Sequence, residues 1–430
     1  MNFQEKVYHS AAEIKLMQEE KLQQLLLYLS KYSPFYKKLF AQHNINIAAI
    51  KTLNDLASFP TTNKEDMQKH NEDFLCVDKN KITEYASTSG TLGSPVSIAL
   101  TENDLQRLAY NEYNSFLTAD ASAHDIYQLM LTLDRQFMAG IAYYSGLRKL
   151  GAGIIRVGPG IPSLQWETIQ QLKPTAIVAV PSFILKLIQY AKEHNINLNN
   201  SSVKKAICIG ENIRNPDCSL NILGKKITEA WNIKLYSTYA STEMQTAFTE
   251  CRFGCGGHYQ NDLLIVELLN DNDEQVPANI PGELTITTLD VEGMPLLRYK
   301  TGDVCMYFDE PCVCGRTSFR LSPILGRKKQ MIKFKGTTLY PAALFDLLNE
   351  INEIVDYVIE VSTNEVGLDE VLLYLHVQNV KAETDYRIRS YIQAKLRVSP
   401  FIKYVDIEEI KKMQSSETSR KIIKFIDKRI

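Results

Sequence analysis

Leucines spaced three and four apart run through residues 10–45, with one break near Ser33 and Pro34, and predict consecutive helices. A hydroxyl-rich stretch, YASTSGTLGSPVSIAL from Tyr85 to Leu100, ends in a hydrophobic run that reads as a strand. Another helical pattern extends from Asp104 to about Tyr113. The middle of the chain then alternates. GAGIIRVG (151–158) gives way to the helix-like SLQWETIQQL, TAIVAV (175–180) to FILKLIQYAKEH, and VKKAICIG (203–210) to LNILGKKITEAW. Short apolar strands alternating with helices of about ten residues or more predict a mostly parallel sheet with crossover helices. Past Tyr259 the pattern becomes β-rich: LLIVELLN, GELTITTL and PLLRYKTGDVCMYF. From about Arg327 it changes again, with DYVIEVS, VLLYLHVQ and YVDIEEI as strands and ETDYRIRSYIQAKLRV as a helix. The expected fold class is α/β. A large multi-layer domain (1–326) carries mostly parallel sheets and a β-rich subdomain, and a small α+β domain (327–430) follows.

Composition narrows the class. With 430 residues, 45% of them hydrophobic, the chain can bury the cores of two or three domains. A formal net charge of −2 without long runs of one sign gives no footing for nucleic acid or an anionic membrane surface. The N-terminal stretch lacks the apolar core of a signal peptide, and no segment has the length of a transmembrane helix. The eight cysteines are too sparse for a disulfide scaffold, so the expected location is reducing cytoplasm.

Four stretches carry candidate chemistry. Glycines in STSGTLGS free backbone N–H groups that, with neighbouring hydroxyls, can wrap a phosphate; Thr88, Ser89, Gly90, Thr91 and Gly93 are the donors, or the stretch is a solvated turn. The Walker pattern is absent. In YSTYASTEM (236–244), Glu243 follows a run of small residues and offers a carboxylate for Mg²⁺, or else starts a solvated helix. In RYKTGD (298–303), Asp303 follows a Thr-Gly turn, and its two oxygens can accept both hydroxyls of a ribose. TECRFGCGGH and PCVCG offer five metal-ligand candidates, Cys251, Cys255, His258, Cys312 and Cys314, for the four positions of a tetrahedral ion.

In this order and spacing, these stretches resemble the acyl-adenylate-forming superfamily, and most of all its phenylacetate–CoA ligase branch. SPFYKKLF (33–40), LNDLASFPTTNKEDM (53–67), LKPTAIVAVPSFILKL (172–187), ICIGENI (207–213) and TTLYPAALFDLL (337–348) extend the similarity over nearly the whole chain. The resemblance implies that Thr88, Ser89, Gly90, Thr91 and Gly93 hold the ATP phosphates. It puts Gly210, Glu211, Tyr239, Ala240, Ser241 and Thr242 against the nucleotide, Glu243 on Mg²⁺, Asp303 on the ribose, and Arg327 on ribose and phosphate. Lys329 takes the hinge position of a mobile C-terminal lid. In TSRKIIKFIDKR (418–429), the register set by FIDKR gives Lys421 as the adenylation lysine.

The same resemblance lines the acid pocket with Phe137, Met138, Ala139, Gly140 and Phe183. It selects Cys251, His258, Cys312 and Cys314 for a structural Zn²⁺ within a subdomain around 249–315, leaving out Cys255. Leu92 and Ser94 stand where the family usually carries a hydroxyl and a lysine, and Ala240 where it usually has glycine. The implied activity is ATP-dependent ligation of an aromatic, phenylacetate-like acid to coenzyme A with release of AMP and pyrophosphate, in an enzyme that is often a homodimer. Transfer to a carrier protein or another acceptor, and a non-catalytic nucleotide-binding relative, are the alternatives.

Overall fold

Helix α1 (Ala11–Tyr32) starts where Ser10 and Glu13 cap each other's backbone N–H groups. It stops at Ser33, whose hydroxyl accepts from Tyr36 and opens α2 (Pro34–Gln42) with proline in the first turn. The computed structural model describes residues 10–88, 96–334, 337–364, 368–396, 398–415 and 423–429. Ser89, Gly90, Thr91, Gly93 and Lys421 lie outside the described residues. The chain divides into two compact units, the boundary falling after Ile324 where residue 326 was expected.

In the first unit, α3 (Lys64–Lys69) leads to the antiparallel pair β1 (Ile82–Ser87) and β2 (Ser97–Thr101). Thr101 and Asp104 form a capping box for α4 (Glu102–Thr118), which runs past the end expected near Tyr113. The alternating region then builds β3 (Ile126–Leu129), α5 (Met138–Leu150), β4 (Gly153–Arg156), α6 (Pro162–Leu172) and β5 (Ala176–Ala179). It continues through α7 (Pro181–Glu193), β6 (Lys205–Ile209), α8 (Ile222–Ala230) and β7 (Lys234–Ser241). Strands β4, β3, β5, β6 and β7 are neighbours in that order and parallel, as the alternation predicts. All four residues of β5 are buried, which is why its run is apolar without alternation.

The same sheet continues antiparallel from β7 through β8 (Thr246–Glu250), β9 (Gly257–His258) and, out of chain order, β14 (Arg320–Leu321) and β13 (Tyr307–Phe308). It is thus a mixed nine-stranded sheet. Strands β10 (Leu264–Leu269), β11 (Gly282–Thr288) and β12 (Tyr299–Cys305) form a separate antiparallel sheet. No described helix is long and apolar enough to cross a membrane.

One buried cation joins these layers. Arg107, on α4, donates to the carbonyls of Leu289 after β11 (2.7 Å), Gln245 before β8 (3.0 Å) and Leu263 before β10 (2.6 Å). Burial lowers its pKa to about 10, against the opposing pull of Asp104, Asp290 and Asp262, so it stays charged at neutral pH. Asp104, one turn earlier, accepts from the backbone N–H groups of Glu292 and Gly293. Helices α4 and α5 cross at Gly146, where a Cβ would stand 2.4 Å from that of Glu112. Only glycine fits that crossing.

The second unit comprises β15 (Gly326–Arg327), β16 (Ile332–Phe334), β17 (Thr337–Leu339), α9 (Pro341–Glu350), β18 (Ile354–Thr363) and β19 (Asp369–Val377). Helix α10 (Ala382–Leu396), β20 (Phe401–Tyr404), α11 (Ile407–Gln414) and β21 (Phe425–Asp427) follow. Its main sheet runs β20-β19-β18-β21 over a core that includes Val361, Leu373 and Ile388. YVDIEEI departs from its expected strand. Asp406 accepts from the N–H of Glu409 and starts α11, so the strand ends at Tyr404.

Glu112 is a buried acid at the α4–α5 crossing. Its Oε1 accepts from Asn111 at 3.1 Å, while Oε2 has no hydrogen-bond partner and borders a small void with Ser115, Phe116, Tyr143, Ile207, Thr238 and Thr249. Burial pushes its pKa up to about 8, only partly offset by Asn111. The folded chain therefore holds a proton that an unfolded glutamate releases near pH 4.5. The resulting stability is complete below that pH and is lost as pH rises through about 8. Glu112→Gln has no proton to lose. Its stability relative to the parent should rise by roughly 4 kcal/mol between pH 5 and pH 9, measured by urea denaturation; a pH-independent difference would refute this assignment.

Candidate functional site

Phe183, Gly210, Glu211 and Tyr239–Glu243 lie at or just after the carboxyl ends of β5, β6 and β7. Open α/β sheets bind ligands outside these carboxyl ends. Pro181, Ser182 and Phe183 open α7 directly after β5. Gly210 and Glu211 follow β6, and Gly210 has φ +75, a left-handed conformation with nothing within 4 Å of a would-be Cβ. Glu211 accepts from both the N–H (2.8 Å) and the hydroxyl (2.9 Å) of Ser182, so its carboxylate caps α7 and ties two strand ends together. Ser182 had no signal of its own in the sequence.

Tyr239, Ala240 and Ser241 lie on β7, paired with Phe248, Ala247 and Thr246 of β8. Thr242 and Glu243 occupy the turn between the strands, where the Ser241 hydroxyl accepts from Met244 and Gln245 has φ 51. The alternative of a solvated helix start at Glu243 drops out, because the chain folds back as a hairpin. The Tyr239 hydroxyl donates to Asp303 Oδ2 at 2.6 Å. Asp303 sits within β12, not after a turn, behind Gly302 at φ +79. A pair of residues 64 positions apart is thus joined; Ser241 ends β7, and Thr242 and Glu243 follow in the turn. Their side chains offer hard oxygen donors of the type Mg²⁺ takes.

Thr88 closes the neck of the β1–β2 connection. Its N–H donates to the Val96 carbonyl, and its hydroxyl accepts from the Val96 N–H, both at 3.0 Å. One residue earlier, the Ser87 N–H donates to the carbonyl of Gln136 at 2.9 Å. Arg135 and Gln136 both have left-handed backbones, with φ 58 and 57. The connection holding the expected phosphate loop is therefore bonded to the segment that leads into α5. A main-chain contact of this kind has no residue signature.

The five expected pocket residues divide among separate packing environments. Met138 is buried in the main core, Phe137 and Ala139 pack against the core beside α5, and Phe183 packs on the α7 side of the sheet. A Cβ on Gly140 would stand 2.3 Å from the Thr132 carbonyl oxygen, so this glycine lets α5 sit against the strand-end loop. In the second unit, Arg327 lies on β15, and the Lys329 carbonyl accepts from Arg429 at 3.2 Å.

A separate cluster lies at the antiparallel end of the large sheet. One ligand atom from each of Cys251, His258, Cys312 and Cys314 lies within 4.8 Å of all the others. Cys251 and Cys312 sulfurs are 3.7 Å apart, and Cys314 Sγ is 3.5 Å from His258 Nε2. Two sulfurs on a tetrahedral Zn²⁺ stand about 3.8 Å apart, and a sulfur and a nitrogen about 3.5 Å, given Zn–S of about 2.3 Å and Zn–N of about 2.0 Å. The donors fit the ion. Burial, with Arg316 and Arg320 nearby, lowers the His258 pKa to about 3 and keeps the imidazole neutral, its ligand form. Burial raises the Cys251 thiol; at Cys314, Arg316 outweighs the same push and brings the thiol down.

The family model described as AMP-binding enzyme matches residues 26–291. The chain is 29% identical to a phenylacetate–coenzyme A ligase of Thermus thermophilus over 373 residues, covering 85% of this chain and 81% of that protein. It is 25% identical to the phenylacetate–coenzyme A ligase of Escherichia coli over 340 residues, 78% of this chain and 76% of that one. A 2-hydroxyisobutyryl-CoA ligase, crystallised in its postadenylation state with an acyl-adenylate, superposes with a TM-score of 0.83 at 22% identity. That likeness covers 99% of this chain and 95% of the other.

If the cluster holds Zn²⁺, Cys251→Ser should lower zinc affinity by at least about tenfold and reduce the melting temperature. Metal analysis after dialysis against a weak chelator, with a thermal melt, checks this; full zinc retention would remove Cys251 from the ligand set.

Proposed function

The chain belongs to the AMP-binding enzyme family, and we propose that within it the protein is an AMP-forming acid–CoA ligase acting on a small aromatic carboxylic acid. The observation that carries this reading is the 2.6 Å Tyr239–Asp303 bond at the carboxyl edge of the parallel strands. An aromatic ring and a carboxylate joined there suit an adenosine, the ring beside the base and the carboxylate on the ribose hydroxyls. The names of the two relatives above support the acid and the thiol.

In the first step a carboxylate oxygen attacks the α-phosphorus of ATP, giving an acyl-adenylate and pyrophosphate. Negative charge on the phosphoryl oxygens grows as the bond to pyrophosphate breaks. Lys421 is assigned to that charge, since an ammonium held there stabilises the transition state more than the ground state. Glu243 would hold Mg²⁺, which supplies charge neutralisation for the triphosphate when bound. In the second step the CoA sulfur attacks the acyl carbon and AMP leaves. Lys329 is the hinge of this reading. The apolar side chains of Phe137, Ala139 and Phe183 favour an aryl acid over a polar one. Zn²⁺ at Cys251, His258, Cys312 and Cys314 is structural. A homodimer in the cytoplasm completes the reading.

The test is pyrophosphate release from Mg-ATP across aromatic and short-chain acids, with and without CoA. Acid-dependent release that CoA accelerates, with AMP and an acyl-CoA as products, is expected. Release indifferent to CoA would move the acyl group to another acceptor, and ATP binding without release for any acid would overturn the reading. Asp303→Asn removes a charge-assisted bond to the ribose worth about 1.5–3 kcal/mol. It should therefore lower kcat/KM for ATP by about 10- to 100-fold, with little change for the acid.

A further inference from the structure

We propose that Cys255 is a modification site: on oxidation by a peroxide it bonds to Cys312 and takes over the join between two segments that zinc makes in the reduced protein. The inference rests on the zinc reading of the neighbouring cluster. The Cys255 sulfur lies 3.4 Å from that of Cys312, closer than the 3.7 Å between Cys251 and Cys312. Cys255 nonetheless stands outside the set of four whose ligand atoms are all mutually close. It is a fifth thiol at a four-donor site.

Its backbone is arranged for this approach. Gly254 and Gly256 flank it at φ +60 and +105. A Cβ on Gly254 would strike the Arg214 guanidinium, and one on Gly256 would crowd the Leu321 carbonyl. The Cys255 carbonyl accepts from Arg320, which holds the main chain in place. Cys255 and Cys314 are half-buried, whereas Cys251 and Cys312 are buried; with Cys314 committed to the four-donor set, Cys255 is the open thiol left for peroxide.

The chemistry balances. The Cys255 thiol reduces hydrogen peroxide by two electrons, giving a sulfenic acid and one water. The Cys312 thiolate then attacks that sulfur. An S–S bond forms, the S–O bond breaks, and hydroxide leaves. A zinc ion held by Cys251, His258, Cys312 and Cys314 would lose the Cys312 ligand and be released from the other three. Cys255 and Cys312 lie 57 residues apart, on the two segments that the metal bridges. One staple replaces another.

The experiment treats the full-length, reduced, zinc-loaded protein with hydrogen peroxide. It follows zinc release with a metallochromic indicator and maps disulfides by non-reducing peptide mass spectrometry. One zinc released per chain, a Cys255–Cys312 peptide, and zinc uptake restored by dithiothreitol are expected. Cys255→Ser should hold one zinc before oxidation and release it at least about tenfold more slowly. A disulfide mapped to Cys251–Cys312 would overturn the proposal. Equal release rates in Cys255→Ser, or failure of that variant to hold zinc, would do the same. A Cys255–Cys312 disulfide in a protein that never held zinc would refute the zinc reading and leave the modification standing.

Discussion

The fold of the first unit turns on a single buried guanidinium. Arg107 reaches from α4 to three carbonyls on three different segments, and those segments belong to both sheets. An aliphatic side chain in its place would leave three buried acceptors without donors, each costing about 1–3 kcal/mol. The charge is tolerated because Asp104, Asp262 and Asp290 surround it at longer range. One of the three carbonyls is that of Gln245, in the turn that also carries Glu243. The interaction that joins the layers therefore also positions the hairpin at the candidate site. The Tyr239–Asp303 bond depends on the same alignment, since β7 and β12 lie in different sheets.

Part of the left-handed backbone lies near that edge. Gly210, Gln245, Arg135 and Gln136 have positive φ on loops and turns after the strands, and Gly302 has it within β12 beside Asp303. Left-handed conformations at non-glycine positions are disfavoured and persist where surrounding contacts hold them. Here the contacts are visible: Arg107 holds Gln245, and Ser87 holds Gln136. The parallel core needs no such irregularity. Strands β5 and β6 are regular and buried, and they provide the rigid frame from which the loops project.

The cysteine–histidine cluster serves the opposite end of the sheet. There β9, β13 and β14 are only two residues long, and so few ladder bonds hold little by themselves. A metal bound by the four donors, as proposed, would join the segment after β8 to the segment after β13 and offset this shortness. The same crowding of sulfur leaves Cys255 within reach of Cys312.

Hydrophobic period marked β4, β5 and β6 and the helices after them, because a buried central strand and an amphipathic helix each leave a local pattern, but it passed over β3 and α5. It failed at YVDIEEI, where a cap at Asp406 overrides a β-like composition. The chemistry of Asp303 and of the five metal-ligand candidates could be read from residue type and motif, and that of Tyr239 only from the family resemblance. That Tyr239 meets Asp303, that Ser182 meets Glu211, and that Cys255 faces Cys312 could not, since each pair is distant in sequence and joined only by strand order. Local sequence determined which segments form and which side chains have chemistry to offer. The tertiary structure decided which of them meet, because packing around Arg107 and the order of the strands are properties of the whole chain.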